Sequence, residues 1–255
     1  MIIDVHSHLN DEQFESDLPE TVARMKGAGV STIVVGTDLA TSRRALDVAK
    51  MYGLWATIGQ HPTDNVEENF DEAAYAELAK NKEVVAIGEC GLDFFLDKSD
   101  EGHARQEKLF HLHLELSAKT GKPLMIHSRG AYEKISVNLA TNIRLLPSTP
   151  GNVHFFTGSW VDAKRLLDLG FTISFPGVIT FTSDYDEVIK NVPKDMFMVE
   201  TDAPYVPPDP YRGQRNEPIY VKEVIKRIAE LRGSTPDHIA EITTQTARRV
   251  FGLFA

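Results

Sequence analysis

The sequence predicts an α/β protein, a single-domain (β/α)8 TIM barrel occupying residues 1–255, and three observations lead there. Eight short apolar runs alternate with helix-like segments along the chain. The length of 255 residues suits eight βα units, which need roughly 250. No GxGxxG or GxxxxGKS/T follows any of the runs. That weakens the phosphate-loop versions of the competing topology, an open doubly wound sheet.

In chain order the candidate strands are MIIDVHSH (1–8), VSTIVVGT (30–37), LWATIGQH (54–61), VVAIGECG (84–91), PLMIHS (123–128), NVHFFTG (152–158), FTISFPG (171–177) and MFMVET (196–201). Each is short and rich in Val, Ile or Phe, as parallel strands covered on both faces require. LPETVARMKGAG leads into the second strand and ARQEKLFHLHLELSAKTG into the fifth. The latter sets Leu109, Leu112 and Leu116 at helical spacing and stops at Gly121, a C-cap residue. Two helices close the chain. Val221, Val224, Ile225, Ile228 and Leu231 form an apolar stripe ending at Gly233. A Ser/Thr cap and Pro236 then open a segment with Ile239, Ile242, Thr246 and Val250 on one side.

Composition excludes several classes. A hydrophobic content of 42% with 25% charged residues is that of an ordinary core-forming protein. No apolar run approaches the ~20 residues of a membrane span, and no signal peptide is visible at the N-terminus. Cys90 is the only cysteine, which leaves no intrachain disulfide and fits a reducing, cytoplasmic setting. The 37 acidic and 27 basic residues give a net charge of −10, against a broad basic face for long nucleic acid. A nuclease whose bound cations supply local positive charge stays open.

Barrel chemistry sits at the C-terminal ends of strands. Reading only those ends collects His6, His8, His61, Glu89, His127, His154, Glu200 and Asp202. Packing alone would favour branched aliphatics there, because polar groups must be paired, solvated or metal-bound. Strand side chains alternate, so His6 and His8 face one point while Val5 and Ser7 face away. Imidazoles and carboxylates without a thiolate suit Zn²⁺, Mn²⁺ or Co²⁺, and Mg²⁺ where oxygen dominates. The six residues His6, His8, Glu89, His127, His154 and Asp202 exceed what one tetrahedral ion uses. Two ions about 3.5–4 Å apart would account for the surplus. Glu89 is then the bridge, with His6 and His8 on one ion and His127 and His154 on the other. Asp202 serves as ligand and as base toward a metal-activated water. Asp4 is read as orienting an imidazole from outside the ligand set. Cys90, adjacent to Glu89, faces the helices as a small buried filler.

The blocks DVHSHL, IGQHP, IGECGLDF, HSRGA, HFFTG, ETDAPY and YRGQRNEPIYV, spread from residue 4 to about residue 221, resemble in order the signature blocks of the TatD family of metal-dependent deoxyribonucleases. The resemblance implies a TIM barrel of the amidohydrolase-like superfamily and hydrolysis of DNA phosphodiesters, often as a 3′→5′ exonuclease on single strands. It places the family's ligands on the same six residues, with two divalent ions, Mg²⁺, Mn²⁺ or Zn²⁺. It maps the histidine of GQHP to His61, read as a phosphate contact or a support for the ligands. Arg129 is read as facing a phosphate, with Arg212 and Asn216 as further substrate contacts. Phe94, Phe95, Trp160, Tyr205 and Tyr211 are candidates for stacking bases. The expected partner is DNA, at single-stranded ends, with no membrane and with a monomer able to act. The chain departs from the family pattern at Ser7-His8-Leu9-Asn10, at Cys90, at Gly130 and at Thr246, none of which removes a ligand. Two other readings remain open. One is a hydrolase of the same barrel acting on an amide, a lactone or a D-aminoacyl-tRNA ester. The other is a non-catalytic scaffold that keeps the metal site.

Overall fold

Each of the eight runs forms a strand in the computed structural model, which describes residues 1–253. The strands are β1 (Ile2–Ser7), β2 (Val30–Val35), β3 (Trp55–Ile58), β4 (Val84–Asp93), β5 (Leu124–Arg129), β6 (Gly151–Val153), β7 (Thr172–Phe175) and β8 (Phe197–Val199). They pair in parallel in the order β1 to β8. The helices are α1 (Leu18–Gly27), α2 (Leu39–Tyr52), α3 (Glu72–Leu78), α4 (Asp100–Thr120), α5 (Tyr132–Asn142), α6 (Trp160–Asp168), α7 (Asp186–Asn191), α8 (Val221–Arg232) and α9 (Pro236–Phe251). One helix follows each strand and α9 is added at the end. Among the described residues no helix is long and apolar enough to cross a membrane.

Closure falls between β1 and β8, where an isolated parallel bridge joins Ser7 to Ala203. Asp202 N donates to His6 O (2.9 Å) and His8 N to Ala203 O (2.6 Å). One layer deeper, the buried Asp4 carboxylate closes the seam. Its Oδ1 accepts from Thr201 N (2.9 Å) and its Oδ2 from the Thr201 and Thr32 hydroxyls (2.7 and 3.2 Å). The side chain therefore replaces ladder hydrogen bonds that the short β8 does not make. Of His6, Asp4 touches the backbone N–H alone, at 3.3 Å, and the His6 Nδ1 has no partner. The expectation that Asp4 orients an imidazole gives way to a role in closing the barrel.

The smaller elements depart from expectation for local reasons. The sixth strand ends at Val153 rather than running on to residue 158, because Phe155 turns the chain with φ +46°. Helix α4 ends as foreseen on Gly121 in the left-handed region. Its buried side is wider than the leucine stripe, however, and takes in Phe110, His113, Leu114 and Ser117 while Leu112 is half-buried. In β4, three steps from Ile87 to Cys90 face two steps on β5, a bulge that re-aims Glu89 into the barrel. Gly91 makes the close pairing possible: at φ +139° a Cβ there would stand 2.0 Å from His127 O.

His113 adds a buried titratable group to this layer. Its Nδ1 donates to Leu109 O (2.9 Å) and its Nε2 accepts from Gln60 N (2.9 Å), so the neutral ring is fully satisfied. Burial pushes its pKa down from 6.5 to about 4. The fold thus prefers the deprotonated ring. Stability from this residue is complete above about pH 6.5 and is lost as pH falls toward 4, by about 3 kcal/mol. In thermal melts across that window, the stability gap between the wild type and His113→Gln should narrow as pH falls. Parallel curves would exclude the effect.

Candidate metal centre

Five histidines and two carboxylates converge at the C-terminal end of the strands. His6 on β1 and His8 just past it bring their Nε2 atoms within 3.2 Å of each other. Glu89, carried inward by the β4 bulge, is buried between the groups. Its Oε2 lies 3.3 Å from His6 Nε2 and 3.8 Å from His8 Nε2. Its Oε1 lies 2.8 Å from His154 Nε2, 3.1 Å from His127 Nδ1 and 3.6 Å from His61 Nε2. Asp202 Oδ1 stands 3.3 Å from His8 Nε2 and 3.6 Å from His6 Nε2. A left-handed backbone (φ +57°) aims this aspartate, a conformation Asp tolerates better than most residues.

The outer nitrogens decide where the lone pairs point. His8 Nδ1 faces Val35 O at 3.2 Å, an acceptor, so the proton sits there and Nε2 offers its lone pair to the centre. His127 Nε2 faces Asp93 Oδ2 at 3.0 Å, with the same consequence, while His61 Nδ1 lies 3.1 Å from Asp64 Oδ1 and accepts from Thr63 N at 3.4 Å. His154 Nδ1 points toward Glu200 at 3.5 Å. Glu200 itself is held by Phe155 N (2.7 Å) and the Ser174 hydroxyl. Lone pairs and carboxylate oxygens are thus directed at one another across about 3 Å, a donor set that fits divalent cations.

Electrostatics agrees. Burial resists charge on Glu89, but the neighbouring His154, His6 and His61 outweigh it and hold the carboxyl well below its usual range. Burial likewise opposes ionisation of Asp202, and the His8 hydrogen bond wins. Against the same desolvation, Asp202 raises His8, and Asp93 with Glu89 raises His127. The ionised carboxylates draw positive charge into the centre, as protons on imidazoles or as metal ions.

Three groups have ligand atoms within 4.8 Å of one another: His6, His8 and Asp202; His6, Glu89 and His154; and His61, Glu89 and His127. All six expected ligands lie in them, and Glu89 is shared. The partition differs from the expected one. His154 stacks on His6 with ring centroids 3.8 Å apart, and His61 stands beside His127 and Glu89 rather than only toward substrate.

Above the cluster opens a cavity of about 780 Å³ whose lining includes Arg129, Arg212, Phe181 and Tyr205. Arg129 lies over the Phe95 ring at 4.1 Å and Arg212 over the Phe181 ring at 4.1 Å. Asn216 is elsewhere. It is fully buried, and its amide donates to the Thr201 and Tyr205 carbonyls at 2.8 and 2.6 Å, so it braces the loop after β8 instead of touching substrate. Phe94 stacks on His103 and Tyr211 on Tyr220, which makes them packing residues. Cys90 is buried in the layer between sheet and helices. Sequence reasoning passed over Asp64, Asp93 and Phe181. Asp93 lay within the quoted block IGECGLDF at the end of the longest strand, while nothing in the sequence marked Phe181.

The family model described as TatD related DNase matches residues 3–252. An uncharacterized metal-dependent hydrolase of Bacillus subtilis, YabD, is 40% identical over 98% of this chain and 99% of its own. A Pectobacterium parmentieri protein named 3′-5′ ssDNA/RNA exonuclease TatD is 35% identical over 99% of this chain and 100% of its own. Among solved structures, the Escherichia coli TatD homolog YjjV superposes with a TM-score of 0.91 at 31% identity, covering 99% of this chain and 98% of that one.

Proposed function

The chain belongs to the TatD family of metal-dependent hydrolases, and from that premise we propose that it is a deoxyribonuclease that trims single-stranded DNA in the 3′→5′ direction. The observation that carries this reading is the cavity: two arginines, each stacked on a phenylalanine, line or border the space directly above the carboxylate-linked histidines. Guanidinium groups hold phosphates in a planar fork, and aromatic faces take unpaired bases without regard to sequence. Arg129 ends β5 and Arg212 follows β8, three strands apart around a ring of eight, so the two pairs stand on separate arcs of the mouth. A strand end needs only this local positive charge, which reconciles the site with a net charge of −10.

His6 and His8 with Asp202 would hold one divalent ion, and His127 with His61 a second, with Glu89 in reach of both groups and His154 Nε2 beside Glu89 Oε1. Such a pair of ions, Mg²⁺, Mn²⁺ or Zn²⁺, supplies positive charge to the phosphodiester and acidifies water. Glu89, ionised and buried, keeps the two histidine groups in one electrostatic unit. Asp202 stays ionised at neutral pH, turns Oδ1 to the histidines and uses Oδ2 to accept the proton of the attacking water. Arg129 and Arg212 hold the phosphates flanking the scissile bond.

The test is release of mononucleotides from 5′-labelled single-stranded DNA with Mg²⁺ or Mn²⁺, beside the matching duplex, RNA, a D-aminoacyl-tRNA and a simple amide. Stepwise shortening of the single strand from its 3′ end is expected, with Arg129→Ala and Arg212→Ala each raising KM about tenfold. Inert DNA with cleavage of the aminoacyl ester or amide would transfer the assignment to another hydrolase on this barrel.

A further inference from the structure

Asp93 is buried at the last position of β4 and is absent from all three ligand groups, yet its hydrogen bonds are well defined. Its Oδ2 faces His127 Nε2 at 3.0 Å. Its Oδ1 accepts from Phe95 N at 3.0 Å and from Leu96 N at 2.8 Å. Its backbone N–H is held by the buried Gln106 side chain at 2.7 Å, so the residue is itself anchored to α4. One imidazole nitrogen and two backbone N–H groups thus all point at this single carboxylate.

With a cation on the Nδ1 side, between Glu89 and His154, the ring proton of His127 would lie on Nε2, where Asp93 Oδ2 accepts it. The same carboxylate fixes the turn that carries Phe95 under Arg129 and sets Leu96 in the cavity wall. We propose that Asp93 is a positioning residue with two tasks: it sets the His127 tautomer for metal ligation, and it pins the Phe95–Leu96 rim of the substrate cavity. Metal centre and rim are thereby joined through a single side chain. The meaning of the rim for catalysis rests on the nuclease reading above, but the joint itself does not.

Asparagine separates the two tasks. It offers one oxygen to the Phe95 and Leu96 N–H groups and turns an NH₂ toward His127 Nε2. The ring proton then moves to Nδ1 and the lone pair leaves the centre, as happens when the orienting aspartate of a Ser-His-Asp triad becomes asparagine. In Asp93→Asn, affinity for Zn²⁺ or Mn²⁺, titrated into metal-free protein, should fall about 10–100-fold. Hydrogen exchange of residues 94–97 should stay at the wild-type level. In Asp93→Ala both should be lost. A third measurement needs no variant. Long-range ¹H–¹⁵N correlation on the Zn²⁺-loaded wild type should show His127 protonated on Nε2.

Wild-type metal affinity in Asp93→Asn, or an Nδ1-protonated His127 in the Zn²⁺-loaded wild type, would overturn the tautomer role. Unchanged exchange at 94–97 in Asp93→Ala would overturn the rim role. None of these readouts uses DNA, so an enzyme inactive on DNA would leave them to decide the inference separately.

Discussion

Replacing Asp202 by asparagine is expected to lower kcat on single-stranded DNA by about 10³-fold, within the ~10²–10⁴ that a positioned general base contributes. Asparagine is the informative substitution because it too tolerates the left-handed backbone (φ +57°) that residue 202 adopts. The Asp202 N to His6 O and Tyr205 N to Asp202 O hydrogen bonds are backbone contacts and survive the change. The loss should therefore appear in kcat with little change in melting temperature, while the charge that attracts cations to His6 and His8 is reduced. Steady-state kinetics, metal content and a melt on one preparation separate these effects. Activity within threefold of wild type would end the role assigned to Asp202. Loss of activity with full metal content would end the scaffold reading.

The second large effect concerns stability. Asp4→Ala leaves Thr201 N and two buried hydroxyls without their acceptor at the barrel seam. An unsatisfied buried donor costs roughly 1–3 kcal/mol, so a destabilisation of about 3 kcal/mol follows. For a chain of this size that is a drop in Tm of roughly 6–12 °C. Asp4→Asn should be far milder. Burial pushes the Asp4 carboxyl up to about 8, so the site gains little from a full charge, and an amide keeps the shape and a buried acceptor oxygen. Its oxygen can accept from Thr201 N while its NH₂ faces the hydroxyls. Calorimetry of the two variants decides the matter. Equal losses would mean that the seam does not depend on this hydrogen-bond set.

The architecture was legible because its signals are local and repeated. Val/Ile-rich runs of strand length recur with helical stripes between them, and caps such as Gly121, Gly233 and Thr235 fall where the chain folds them. The candidate site residues could be gathered for a related reason. A barrel sends every strand end to one mouth, so His6, His8, Glu89, His127, His154 and Asp202 could be gathered without knowing any distance between them.

Which side chains meet was not legible, because it depends on bulges, on strand ends and on contacts remote in sequence. The one-residue bulge in β4 turns Glu89 toward both histidine groups. Early termination of β6 lets His154 stack on His6, and closure through Thr201 takes Asp4 away from the imidazoles. Asn216 reads as a loop residue in sequence and becomes buried because two carbonyls after β8 need a donor. Alternation and spacing therefore determined the fold and the kinds of atoms at its mouth. Tertiary structure alone decided their partners, because a hydrogen bond or a shared ligand is set within tenths of an ångström by packing that no local pattern encodes.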